Sequence, residues 1–206
     1  MWSLSLKTAP TAEPFDAAWA KEHSRIQGTP ASEDLHIEAA ITAARIQCET
    51  FTHRQLLPAT WTLYMDSWWE EGIYRDGALF LPRPPLRAVA SVKYRDSGGT
   101  LQTWSTSEYT AEVPTDLAVI SPTAQRARVF PNYSISWPTL RCQPRAVEIE
   151  FSAGWSDRSK VPPGLISGML LMVAELYERR EEATTGTIVT PNVIRAESLW
   201  WPYRAF

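Results

Sequence analysis

The apolar residues of this chain change their spacing twice. In residues 13–57 they recur every three or four positions, as one face of a helix requires; from Pro58 to about Gly154 they alternate; beyond Pro162 the helical spacing returns. The two periods bury different kinds of face, so neither a lone helical bundle nor a lone sandwich accommodates the whole chain. The pattern predicts an α+β fold: a helical unit of three long helices plus a C-terminal tail, interrupted by a small antiparallel β-sandwich or barrel. The predicted division is a helical domain over 1–57 and 154–193, an inserted β domain over 58–153, and a tail over 194–206.

Residues 1–12 read as an extended arm. "EPFDAAWAKEHSRI" suits a short helix with Pro14 near its first turn, and "QGTPASED" breaks it. Ser32, Glu33 and Asp34 offer a cap and an acidic first turn to a second helix, whose stripe is Ile37, Ile41, Ala44, Cys48 and Phe51. Trp61, Leu63 and Met65 then alternate against Thr60, Thr62 and Tyr64. "ALFLP", "RAVASVKYRD", "TLQTW", "EYTAEV", "LAVIS" and "RARVF" follow as short strands, with "DSGG" a hairpin turn, and "AVEIEFSAG" closes the series. The third helix begins at Pro162 and Pro163 and carries Leu165, Met169, Met172 and Leu176 beside Ile166, Leu170, Val173 and Tyr177.

The chemistry-bearing residues form no recognisable constellation. His23, His36 and His53 share no metal-ligand spacing with one another or with Cys48 and Cys142, so no metal or disulfide framework is expected. "GLISG" around Ser167 misses a nucleophile elbow by one position and lies within a helical pattern. There is no glycine-rich phosphate loop, so neither catalytic residues nor cofactors are expected. A net charge of -3 without a basic run argues against tight non-specific grip on nucleic acid. The opening "MWSLSLKTAP" has no signal-peptide character and no apolar run reaches the length of a membrane span, which points to a cytosolic product without a membrane partner.

Ten tryptophans are unusual, because Trp concentrates at interfaces, and they bias the reading toward a binding protein. Trp68, Trp69 and Tyr74 in "DSWWEEGIYRDG" form a candidate partner surface; the competing view closes the sandwich edge with one Trp and leaves the other exposed. That segment also supports a carbohydrate- or receptor-binding β module as the alternative function. A glycan hydrolase built on Asp66, Glu70 or Glu71 is weaker, because neighbouring carboxylates point apart on any regular element.

The blocks "EPFDAAWAKEHSRI", "LPRPPLRAVASVKYRDSGG", "VEIEFSAGWSD", "VPPGLISGMLLMVAELYERRE", "GTIV" and "LWWPYR", in this order, resemble the phage head-tail connector (adaptor) family that carries a β insertion, related to the adaptor of gene transfer agents. The resemblance spans most of the chain and implies a non-enzymatic virion protein made in the host bacterial cytoplasm. It implies a homo-oligomeric ring, dodecameric like the portal protein it docks under, extending the DNA channel toward a neck or stopper protein without sequence-specific DNA binding. Glu33, Asp34, Glu38, Glu49, Glu175 and Glu178 are candidates to face that channel, with solvated helix faces as the plain alternative. "LRCQPR" and the long aromatic "WWEEGIYRDG" depart from the family pattern.

The chain ends on "SLWWPYRAF" after the polar stretch "EATTGTIVTPN". Aromatic side chains of roughly 150 to 250 Å² each are not left in water, so something covers them. The linker composition favours an intermolecular cover, and the resemblance implies that it is the portal. Leu199, Trp200, Trp201, Tyr203, Arg204 and Phe206 are the expected docking residues, with packing against the chain's own helices around Met169 and Tyr177 as the alternative.

Overall fold

The structure is a computed structural model that describes residues 1–26, 32–113, 126–178 and 192–205, the side chains of 32 and 192–194 aside. The described residues fall into two compact units, one of residues 1–11, 58–113 and 126–155, the other of residues 12–26, 32–57, 156–178 and 192–205. Four α-helices and two antiparallel sheets, of five and four strands, are present among them.

The expectation of three long helices plus a tail does not hold. Only α2 (Ser32–Thr52) and α3 (Pro163–Glu178) are long; α1 (Ala17–Ser24) has 8 residues, and the expected tail contains a further helix, α4 (Asn192–Trp200), followed by a 3-10 turn over Trp201–Tyr203. The helix forms because Ala196 and Trp200, four residues apart, are both buried within the helical unit. The β part is also larger than the alternating block, because the extended arm at the start is strand β1 (Trp2–Thr8).

The first sheet is ordered β1, β2 (Ala59–Met65), β9 (Val147–Ala153), β5 (Leu86–Arg95), β6 (Leu101–Thr103). The second is ordered β3 (Tyr74–Arg75), β4 (Ala78–Phe80), β8 (Arg128–Pro131), β7 (Tyr109–Glu112). Central strand β9 has the alternation expected of it: Val147, Ile149, Phe151 and Ala153 are buried while Glu148, Glu150 and Ser152 are not. Leu63 and Met65 of β2, Leu79 of β4, Val92 of β5 and Val129 of β8 complete a core shared with Trp68 and Trp104. The "DSGG" turn is a hairpin closed by Asp96 and Thr100, with Gly99 at φ 89°, a region open to glycine. The expected strand "LAVIS" and the stretch "EATTGTIVTP" lie outside the described residues.

In the helical unit, Asp16 caps α1 by accepting from the Trp19 N–H at 2.9 Å, which starts the helix three residues later than Pro14 suggests. Ile37, Ile41, Ala44 and Cys48 of α2 are fully buried, as their spacing predicts, and Phe51 is partly so. Leu165, Met169, Met172 and Val173 of α3 are buried, but Leu176 is exposed. The α3 stripe has its expected width, with Ile166 and Leu170 also buried, but stops a turn early, and Tyr177 closes the end by donating its hydroxyl to Glu33 at 2.5 Å.

Candidate functional site

The C-terminal aromatic cluster is assembled by two glycines. Gly164 and Gly168 stand one turn apart on α3, and a Cβ at Gly168 would overlap the Trp200 indole nitrogen, while one at Gly164 would come within 2.7 Å of the Tyr203 hydroxyl. Trp200 fills the space left and donates Nε1–H to the Leu165 carbonyl at 3.2 Å. The segment is further tied to the end of α2: Ala205 donates its N–H to the Thr52 carbonyl at 2.8 Å, and Arg54 Nε donates to the Tyr203 carbonyl. "GLISG" is thus the floor of a Trp and Tyr socket. Small residues four apart, followed downstream by a Trp and Tyr three apart, are the sequence signal for it.

This packing divides the expected docking residues. Trp200 is fully buried in its own unit and presents nothing to a partner, because its indole is needed to cover α3. Tyr203 and Arg204 are half-buried, and Phe206 lies outside the described residues. Trp201 remains 57% exposed and Leu199 39% exposed. The Arg204 guanidinium lies 5.5 Å from both the Phe51 and the Trp201 ring centroids, so cation–π contacts hold Trp201 outward as part of an aromatic and cationic surface.

The acidic candidates divide in the same way. Glu49 is buried: it accepts from Arg45 Nη1 at 3.0 Å, Gln55 Nε2 at 2.7 Å and the Leu56 N–H at 3.0 Å, and Arg45 also donates to Glu13 at 2.7 Å. Glu49 is therefore a structural anion at the end of α2 and unavailable to a channel, since a carboxylate this buried persists only with its hydrogen bonds complete. Asp34 is paired with Lys21, and Glu33 holds Tyr177. Glu38 and Glu178 are exposed, and Glu175 is half-exposed.

In the β unit, Trp68 is fully buried, donates to the Pro138 carbonyl at 2.8 Å and stacks 4.8 Å from Trp137 and 5.6 Å from Trp104. It closes the sandwich and is not a surface group. Trp69 is 61% exposed, with Tyr74 edge-on to it at 69°. Two rings at that angle offer no common plane for a sugar to stack on, so only Trp69 is left of the expected platform.

Of the carboxylates weighed for hydrolysis, Glu71 is exposed, while Asp66 and Glu70 are engaged. Asp66 accepts from the Arg145 N–H at 2.8 Å and from the Met1 amine at 3.1 Å, and those bonds hold its carboxyl below the usual carboxylate range. A general acid needs the opposite shift. Glu70 accepts from the same amine at 2.7 Å. Among the described residues no group of three His, Cys, Asp or Glu side chains is placed to hold a metal, and no helix is long and apolar enough to cross a membrane.

Each unit carries an open depression among the described residues. One, of about 380 Å³, is lined by Glu13, Asp16, Glu38, Ile41 and Arg158 among others, but Glu13 is bound by Arg45 and Thr42, and Asp16 caps α1. The other, of about 310 Å³, lies on the outer face of the five-stranded sheet, where Lys7 pairs with Glu150 at 2.7 Å and Lys93 stands opposite Glu148. These are cross-strand charge pairs on a solvated face.

No family model matches the chain, and no curated protein matches it. Solved structures do. A chain from "Neck of empty GTA particle computed with C6 symmetry" superposes with a TM-score of 0.74 at 21% identity, covering 99% of this chain and 96% of that one. One from "Virion of native gene transfer agent (GTA) particle" gives 0.72 at 22%, over 98% and 95%. A third, from "Neck of native GTA particle computed with C12 symmetry", gives 0.66 at 21%, over 99% and 96%. At this identity the likeness establishes a shared fold over nearly the full length of both chains.

Proposed function

We propose that this chain is a structural connector of a tailed phage or phage-like particle, forming a ring at the head-tail junction. The observation that carries the reading is the two-way coverage, 99% of this chain and 96% of a chain from a particle neck, in a fold made of two dissimilar units. A match of that extent includes both the helical and the β unit, so it is not the chance likeness of one common module. The site geometry supports it, because the polar groups best placed for chemistry are occupied in holding the fold.

In this account the ring sits under a portal and extends the DNA channel toward a neck or stopper protein, and the contact with the portal is made by Trp201, Leu199 and Arg204. Trp200 and Tyr203 build the platform beneath them. Deleting residues 194–206 therefore confounds docking with stability, since it removes Trp200 from the core. The informative variant is Trp201→Ala, which removes the exposed ring alone. The account predicts that particles assembled with Trp201→Ala incorporate much less of the protein, at an unchanged Tm; undiminished incorporation refutes this docking surface. Absence of the unmodified protein from purified particles refutes the connector role itself.

A further inference from the structure

The two edges of the five-stranded sheet are complementary to each other. Strand β1 is paired on one side only among the described residues, and so is β6. The Met1 carbonyl accepts from the Asp66 N–H at 3.2 Å, and the register pairs Trp2 with Met65, Leu4 with Leu63 and Leu6 with Trp61. Hydrogen-bonded positions alternate along an antiparallel pair, so Trp2, Leu4 and Leu6 direct their N–H and C=O groups to the open edge. On the other side, the Asp96 N–H donates to the Thr100 carbonyl at 3.0 Å and the Trp104 N–H to the Val92 carbonyl at 2.8 Å. By the same alternation, Leu101 and Thr103 are the residues of β6 whose backbone groups face outward.

The side-chain faces of these positions matter as much. Trp2, Leu4 and Leu6 stand opposite core residues and share the core face of the sheet, yet Trp2 is 40% and Leu6 46% exposed. Leu101 and Thr103 stand opposite Arg95 and Lys93 and share the outer face, with Leu101 40% exposed. Each neighbouring pair in the order β1, β2, β9, β5, β6 is antiparallel, so β1 and β6 run in the same direction. In a parallel pair the residues that bond across the seam lie on opposite faces of the two strands, because each bonds to the residues flanking its lateral neighbour. That is the arrangement these two edges offer.

We infer that β6 of one copy pairs in parallel with β1 of the next, so that the five-stranded sheet continues from copy to copy with its core face unbroken. The inference rests on the ring reading above. With Leu4 beside Gln102, the seam contains four bonds: Leu101 N–H to the Trp2 carbonyl, Leu4 N–H to the Leu101 carbonyl, Thr103 N–H to the Leu4 carbonyl, and Leu6 N–H to the Thr103 carbonyl. A seam joining one edge to the opposite edge is heterologous, the kind of contact that closes into a ring. Its extent is limited by the three-residue length of β6 and by the irregularity in β1 between Leu6 and Thr8, features that blunt edge strands against indiscriminate pairing. A single seam is thus weak, and closure, which repeats it, makes the assembly stable.

The test uses the full chain. Trp2→Cys with Thr100→Cys, in a Cys142→Ser background, places two thiols at adjacent positions across the seam; within one chain they sit on opposite edges of the sheet, too far apart to bridge. Oxidation of assembled protein should drive most chains into a ladder of cross-linked multimers, with none from either single cysteine variant. Thr103→Pro removes one seam donor whose N–H takes no part in the β5 ladder, and should lower the assembled fraction about tenfold or more, whereas Thr103→Ala should leave it unchanged. Rings that form without cross-links, or that tolerate Thr103→Pro, overturn the seam and leave the ring reading standing. Failure of the unmodified chain to form rings, alone or on particles, overturns both.

Discussion

Single residues in this molecule carry opposite roles although they are neighbours in sequence. Trp200 is buried on the glycine floor of α3 and Trp201 is mostly exposed. Trp200→Ala empties a large core site and should cost about 3–5 kcal/mol in chemical denaturation, while Trp201→Ala should change stability by no more than about 0.5 kcal/mol. Gly168→Ala should also destabilise, by about 1–3 kcal/mol, because the added methyl meets the indole. Equal effects for Trp200 and Trp201 would remove the distinction on which the docking surface depends. The buried Glu49 makes a parallel case: Glu49→Ala leaves Arg45 with Glu13 alone and strips the Gln55 amide and the Leu56 N–H of their acceptor, and should cost about 1–3 kcal/mol. The cysteines differ as well, because burial, with the Glu49 charge adding to it, pushes the Cys48 thiol well above its usual range, whereas Cys142 is exposed. Titration of the native protein with a thiol reagent should therefore modify one thiol, and denaturant should release the second.

At the scale of elements, the β5–β6 hairpin is set by a titratable group. Asp96 accepts from Gln102 Nε2 and from the Thr100 N–H, each at 2.9 Å, and these bonds, the Gln102 one foremost, hold its carboxyl below the usual range. A depressed carboxylate contributes stability above the ordinary value near about 3.9, and that contribution is lost as pH falls through the lower folded value. The Thr100 amide resonance should therefore titrate with a midpoint below that of an unperturbed aspartate. A midpoint at the ordinary value would mean the turn is not held in this way. Much of this layer was legible in the chain: the stripe of α2, the alternation of β2 and β9 and the "DSGG" turn follow from spacing and turn chemistry alone. Strand β1 carries the same signal, Trp2, Leu4 and Leu6 against Ser3, Ser5 and Lys7, but seven residues at a chain end alternate without revealing a partner sixty residues away. Helix α4 escaped for a related reason. Its anchors are Ala196 and Trp200, and the space that receives Trp200 is made by a glycine more than thirty residues earlier, which no local period reports.

At the scale of the whole molecule, the candidate sites illustrate the same limit. Residue type identified which side chains mattered, but not which way they faced. Trp68 and Trp200 became structural because tertiary packing supplied their partners, and Glu49 because the chain just beyond α2 folds back onto it, whereas Trp69, Trp201 and Leu199 remain outside. What stays exposed is a surface suited to protein contacts: an aromatic and cationic patch at the end of the helical unit, and two complementary sheet edges in the β unit. A connector works through such surfaces and through the shape of the channel it encloses, and a ring multiplies each weak contact by the number of copies. The central claim is that the chain forms a closed ring at the junction of head and tail. A cryo-electron microscopy reconstruction of purified particles tests it most directly. The account predicts a continuous ring of this fold around the DNA channel next to the portal; the chain found instead as isolated copies on the particle exterior, or missing from the neck altogether, would contradict it.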